Sequence, residues 1–412
     1  MRDEDLPVSS DLDALLAALG PGPEPIGAGA SVGDVDATST LHPPPAPPPA
    51  VSSAGGRSSH GSHQVATVDV CPRLYDYNYL GGWVALAEKK FRLQGSLAHL
   101  CFAYYYASRM PMAPANRPPP SWFGVKDLNT ALAELGAGHH NWCTGAKEAL
   151  LHYLDEYKDD PIIPYAVEEE FWATLDEIDP LPPLTSWSVT QRPIVEPLYA
   201  IGSYVLTARI DLLALGSLDF AGAGTSPVLL EDARRVRSGA LVLWNIDFKG
   251  RAGMYGKNRD KLEVWRDDGE FGLDWQSLYN LHILRVHFRR EGVPWPLAGD
   301  VIQRFKREPP WDVARNVIDI PREAYALAPR RARWAVLKEL EIQRWKAVGL
   351  EPLPNYWSCV ARYGNCDFRE GCRKATREQR LSWMESNCVR GRATPPTTVV
   401  NVGRLPVLPS VL

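Results

Sequence analysis

The segment LVLWNIDFKG, residues 241 to 250, opens apolar and then alternates apolar with polar positions. In a strand, successive side chains point to opposite faces, so Val242, Trp244, Ile246 and Phe248 share one face and Asn245, Asp247 and Lys249 the other. VLTARIDLLA, residues 205 to 214, repeats the design. Leu206, Ala208, Ile210 and Leu212 form its apolar row, and Thr207, Arg209 and Asp211 its polar one. Elsewhere the apolar period is helical and predicts helices over 84–109, 125–135, 143–158, 275–286 and 322–348. Pro-rich stretches at 111–121 and 180–184 interrupt it, and no internal repeat is found at any period. Helices around strands with one shared apolar face predict a mixed α/β domain with a buried sheet.

The ends read differently. In residues 1–64, DLDALLAALG at 11–20 predicts a short helix capped by Ser10 or Asp11, and the Pro, Ser and Gly tract LHPPPAPPPAVSSAGGRSSHGSH cannot build a core. This arm is expected to be disordered, the folded domain to span 65–390 and the tail 391–412 to be extended or loose. The arm's helix offers a docking peptide to a protein partner, although a transient helix without one is the commoner behaviour of such tails.

A chain of 412 residues with ordinary apolar and charged fractions buries a large core even without the arm. Its net charge of -4 does not mark a nucleic-acid binder, so any such contact must rest on local patches. No run of 18 apolar residues exists, and the start MRDEDLPVSS lacks a basic n-region and an apolar h-region. The expectation is a protein of the reducing cytoplasm, with no membrane partner. Seven cysteines then read as thiols and metal ligands rather than as a disulfide framework.

If the two strands are neighbours, Asp211 and Asp247 converge with Lys249. Two carboxylates and an ammonium suit a Mg²⁺- or Mn²⁺-dependent phosphodiesterase, because hard oxygen ligands hold the ion and the lysine meets developing charge. From D-x-K alone, solvated edge residues or a surface ion pair are the commoner reading. Cys359, Cys366 and Cys372 are separated by six and five residues. That is too wide for an ordinary zinc knuckle, and it suits an iron-sulfur cluster whose fourth thiolate comes from Cys388 or Cys71. His139, His140 and His152 are read as belonging to a helix and its entry loop rather than to a second metal site.

These pieces together resemble the RecB-like branch of the PD-(D/E)XK nucleases, most closely the iron-sulfur exonucleases of phages and their CRISPR-associated relatives. CPRLYDYNYLGGW is similar to the family's first cysteine segment, and GSLAHLCFAYYYASRM to its G-x-x-x-H helix, carrying His99. YAVEEEF is similar to the strand with the family's acidic residue, here Glu168 or Glu170. ARIDLLA and NIDFKG supply Asp211 and the pair Asp247 and Lys249, and WQSLYNLHI resembles the Gln and Tyr helix. Gln276 and Tyr279 stand three apart where the family usually has four, a spacing that still shares one helical face. NYWSCVARYGNCDFREGC resembles the terminal cysteine triplet.

The resemblance implies a restriction-endonuclease-like mixed central sheet flanked by helices, with a C-terminal iron-sulfur segment pinned against the N-terminal one. It implies a metal-dependent exonuclease acting on DNA with a free end, in recombination, repair or processing. A catalytically silent iron-sulfur protein that binds DNA or serves assembly is the alternative. Asp211 and Asp247 would hold Mg²⁺ or Mn²⁺ with His99 and the Phe248 carbonyl, Lys249 would act on the attacking water, and Gln276 and Tyr279 would contact DNA. Arg73, Lys89, Lys90, Arg92, Arg251, Lys257 and Lys261 are candidates to track its backbone. Cys71, Cys359, Cys366 and Cys372 would hold a 4Fe-4S cluster. Cys388 is set aside because a continuous helix after Cys372 would carry it roughly 24 Å away at 1.5 Å per residue.

Overall fold

The computed structural model describes residues 61–85, 90–110, 128–157, 160, 162–218, 220, 240–251, 275–307, 309, 311–355, 360–361 and 364–390. Its principal helices are α1 (Ser62–Val70), α2 (Lys90–Ser108), α3 (Leu128–Leu135), α4 (His140–Tyr157), α5 (Arg192–Ala200), α6 (Trp275–Glu291), α7 (Arg322–Ala347) and α8 (Arg377–Asn387). The strands are β1 (Trp83–Ala85), β2 (Ile163–Thr174), β3 (Val205–Ser217), β4 (Leu241–Arg251), β5 (Leu297–Lys306), β6 (Val313–Val317), β7 (Val360–Ala361), β8 (Gly364–Asn365) and β9 (Cys388–Arg390). Each helix predicted from periodicity is present. The first is shorter than expected, because residues 83–85 form a strand instead. The fold also begins before the expected boundary at 65, since Ser62 and Gln64 are buried in α1. The helix predicted at 11–20 and the tail lie outside the described residues.

The central sheet is mixed, five strands in the order β2-β3-β4-β5-β6, with only β4 and β5 parallel. Helices α1, α6 and α7 pack one face through Leu278, Leu281, Leu284, Val336 and Leu340. Helices α2, α3 and α4 pack the other through Leu97, Phe102, Leu132, Leu150 and Tyr153. Val242, Trp244, Ile246 and Phe248 lie together on the α2 face, as the alternation in 241–250 predicts. Among the described residues, no helix is long and apolar enough to cross a membrane.

The row predicted in β3 is broken. Leu206, Ala208 and Ile210 face α6, but Leu212 joins the α2 face while Leu213 and Leu215 take the α6 face. The strand has therefore slipped by one residue at Asp211. Its partner β2 slips at the same level, with Ala166 facing α6, Val167 facing α2, and Phe171 and Ala173 facing α6 again. Between them Glu168 has φ +49°, a left-handed backbone that a glutamate adopts only where its surroundings hold it. Regular pairing runs through Val167↔Leu212 and Glu169↔Ile210 and omits the rung between them. Slips of this kind re-aim side chains and collect at functional sites.

Buried polar groups lock the helices to the sheet. Glu339 on α7 accepts from Tyr75, from Tyr204 at 2.8 Å and from Gln64 at 3.0 Å. His282 on α6 stacks on Tyr325, and its Nε2–H donates to the Tyr325 carbonyl at 2.8 Å. Burial lowers His282 from 6.5 to about 4. Between those values the unfolded chain binds a proton that the folded chain refuses, so His282 supports the fold above pH 6.5 and loses that contribution as pH falls towards 4. The full shift corresponds to about 3 kcal/mol. His282→Gln is expected to flatten this part of the stability curve. Urea midpoints at several pH values check it, and an unchanged acid slope would refute the assignment.

Candidate functional site

The ladder between β3 and β4 ends at Leu212↔Ile246, and the next residues along each strand are Asp211 and Asp247. The two carboxylates therefore meet where the strands part. The Phe248 N–H donates to Asp211 Oδ2 at 2.9 Å. In extended chain the N–H and C=O of one residue leave the same edge, so the Phe248 carbonyl faces the same gap. Its ring stacks on Phe102 at 4.4 Å and touches Tyr106 and Tyr153, which holds this point of β4 against α2 and α4.

Both helical layers reach the gap. From α2, His99 Nδ1 lies 3.4 Å from Asp211 Oδ2 and 3.9 Å from Glu168 Oε1. From α6, Gln276 Oε1 accepts from Lys249 Nζ at 3.2 Å, and Lys249 pairs with Asp247 at 2.6 Å. Arg209 Nε holds the other oxygen of Glu168 at 3.0 Å. Of the two glutamates, Glu168 lies with His99 and Asp211, whereas Glu170 stands in register with Arg209 along the ladder.

The charges are out of balance in a way that favours a cation. Burial alone raises Asp211, but the facing His99, Asp247 and Lys249 outweigh it and hold the carboxyl well below the ordinary range. Asp247 is raised well above its usual value, because burial and the Asp211 charge outweigh the opposing Lys249. Burial lowers His99, yet Asp211 and Glu168 push it well above the usual imidazole value. The two carboxyls are thus coupled through their charges. His99, Glu168 and Asp211 offer ligand atoms all within 4.8 Å of one another, the one such group among the described residues. One imidazole nitrogen with carboxylate oxygens is a hard donor set, suited to Mg²⁺ or Mn²⁺.

The remaining expected residues are distributed unevenly. Tyr279 is 3% exposed and packs on Trp275 in the α6 core. Arg73 is also buried, donating to the Pro352 carbonyl and pairing with Glu351, and is a structural tie rather than a backbone contact. Lys89, Lys257 and Lys261, and the side chains of Lys90, Arg92 and Arg251, lie outside the described residues. His139 stacks on Trp142 at 4.0 Å where α4 begins.

Two segments far apart in sequence meet: β1 pairs with β9, and the Asn355 N–H donates to Cys71 Sγ at 3.4 Å. Cys366, Cys372 and Cys388 pack in one small cluster with Tyr77, Trp83 and Phe368. Cys388 is thus not carried away. The chain turns after Cys372, α8 starts only at Arg377 on a Thr376 capping box, and β9 brings Cys388 back beside Met384. Cys359 lies outside the described residues. No three described thiols approach within 4.8 Å.

No family model matches the chain, and no curated protein does. Arg209 carries no signal in the sequence beyond its place in the polar row, two residues before Asp211.

Proposed function

We propose that this protein is a divalent-metal-dependent deoxyribonuclease, an exonuclease of the RecB-like iron-sulfur branch of the PD-(D/E)XK fold, serving DNA recombination, repair or processing. The observation that carries the proposal is the convergence of Asp211 and Asp247 where β3 and β4 part, flanked by His99, Glu168 and Lys249. When bound there, Mg²⁺ or Mn²⁺ supplies Lewis acidity at a phosphoryl oxygen and a lowered pKa for water.

His99, Glu168, Asp211, Asp247 and the Phe248 carbonyl would hold the ion. Lys249 orients the attacking water or meets charge developing on the phosphate, and Gln276 keeps its ammonium aimed. Tyr279 acts by packing α6. A 4Fe-4S cluster on Cys71, Cys359, Cys366 and Cys372 belongs to the same reading, supported by the pairing of β1 with β9; Cys388 competes for the place of Cys71.

The test is incubation of anaerobically purified protein with end-labelled single-stranded and duplex DNA in Mg²⁺, Mn²⁺ or EDTA. Brown protein that shortens DNA with either ion and leaves it intact in EDTA is the expected result. Colourless but active protein would remove the cluster and leave the nuclease. Brown protein that binds DNA and leaves its length unchanged with both ions would establish the catalytically silent alternative.

A further inference from the structure

Arg209 lies on the part of β3 that has already left β4, so its strand edge faces the open gap. Leu206, Ala208 and Ile210 turn towards α6, which puts Arg209 on the same side as His99. It meets Glu168 through Nε. The two Nη groups make no hydrogen bond to a described residue, and the side chain is 32% exposed. A structural arginine clamp usually uses its fork, whereas here the hydrogen bond to Glu168 comes from Nε.

The charge inventory shows what it could meet. Glu168, Asp211 and Asp247 stand beside Arg209 and Lys249, so both cations are already engaged by carboxylates and neither is free to attract a phosphate. A divalent ion held by the carboxylates would add positive charge to the site and satisfy Glu168, so the guanidinium would no longer have to.

We propose that Arg209 is a substrate-phosphate binding residue: it balances Glu168 in the arrangement seen here, and turns its fork to a backbone phosphate of the nucleic-acid strand once a divalent ion takes that carboxylate. The inference rests on the metal-dependent nuclease reading and extends it, making nucleic-acid binding contingent on the ion. A guanidinium fork matches two phosphate oxygens, which an ammonium at this position does not. The phosphate is either internal to the strand or the 5′-terminal one.

The experiment compares wild type with Arg209→Gln and Arg209→Lys in two titrations. In Mn²⁺ calorimetry without DNA, Arg209→Gln is expected to bind the ion several-fold more tightly, because a competing cation has left Glu168. In fluorescence anisotropy with labelled single-stranded oligonucleotide and Ca²⁺, it is expected to bind about tenfold more weakly, with the slope of log K against log salt reduced by about 0.7. Arg209→Lys, which keeps the charge and loses the fork, is expected to keep wild-type Mn²⁺ affinity and lose part of the DNA affinity; it serves if Arg209→Gln does not fold. Oligonucleotides with a 5′-phosphate or a 5′-hydroxyl distinguish the two sources, since only a terminal-phosphate site loses its preference in the variants. Weaker or unchanged Mn²⁺ binding by Arg209→Gln, or DNA binding and salt slope equal to wild type, overturns the proposal and leaves Arg209 a tie for Glu168. Wild type that takes up no Mn²⁺ removes the metal-site reading and this inference with it, a result visible before any variant is made.

Discussion

Asp247→Ala is expected to lower ion-dependent DNA hydrolysis by about 10²-fold or more, the scale seen when an electrostatic catalytic group is lost. Asp247 is 7% exposed, sits opposite Asp211 at the end of the β3–β4 ladder and pairs with Lys249. On the proposed reading, its removal would take a ligand oxygen from the ion and the partner from the lysine together. Asp247→Asn separates these effects. It keeps the size and one carbonyl oxygen, and its expected loss is nearly as large because the charge that attracts the ion is gone. The fold should tolerate both changes, since removing one of two facing carboxyls relieves repulsion. Initial rates on end-labelled DNA in Mn²⁺, with thermal melts of the same preparations, make the comparison. Hydrolysis by Asp247→Ala at the parent rate, once contaminating nucleases are excluded, would show that the gap between β3 and β4 is not where the chemistry occurs.

Arg333→Ala is expected to destabilise the fold by about 3–5 kcal/mol, the range for breaking a buried ion pair from one side. Arg333 is 1% exposed on α7 and spends its guanidinium on the turn after β2. It donates to Asp179 Oδ2 at 2.9 Å, Asp176 Oδ1 at 2.9 Å, and the carbonyls of Leu175 at 3.2 Å, Asp179 at 2.6 Å and Leu198 at 2.5 Å. The alanine leaves these carbonyls and carboxylates with no donor in the same place, and a cavity where the side chain was. The turn has little freedom to collapse into that cavity, because the Asp176 N–H is held by the Gly202 carbonyl at 2.9 Å and a Cβ at Gly202 would overlap the Asp176 carboxylate. Arg333→Lys should recover only part of the loss, since one ammonium cannot reach all these acceptors. Urea midpoints on the two variants decide it: a loss below about 1 kcal/mol for Arg333→Ala would mean that the cluster is solvated and contributes little.

Sequence pattern alone determined a good deal. A period of 3.6 marked the helices that flank the sheet, and a period of two put Val242, Trp244, Ile246 and Phe248 on one face with Asp247 and Lys249 on the other. It did not expose β5, where Asp300, Gln303 and Arg304 interrupt the apolar run and are nevertheless buried. A strand between two helical layers can hold polar side chains if partners come from elsewhere, as Asn245 on β4 does for Asp300, and partners distant in sequence leave no local signal. Nor did alternation anticipate the slip at Asp211, which moved Leu212 to the opposite face from Ile210. A bulge is the response of a strand to its neighbour, and β3 slips because β2 turns left-handed at Glu168 on the same rung.

Tertiary structure made the further decisions. It set Glu168 beside His99 and Asp211, seated Tyr279 in the core, and packed Cys388 with Cys372 and Cys366 through the turn before α8 and the pairing of β9 with β1. Local sequence states which face a side chain can occupy, because that follows from backbone geometry a few residues long. Which groups then meet depends on how strands part and helices cross, and His99, Glu168, Asp211 and Asp247 come from four elements brought together only when the apolar faces of all four are buried at once.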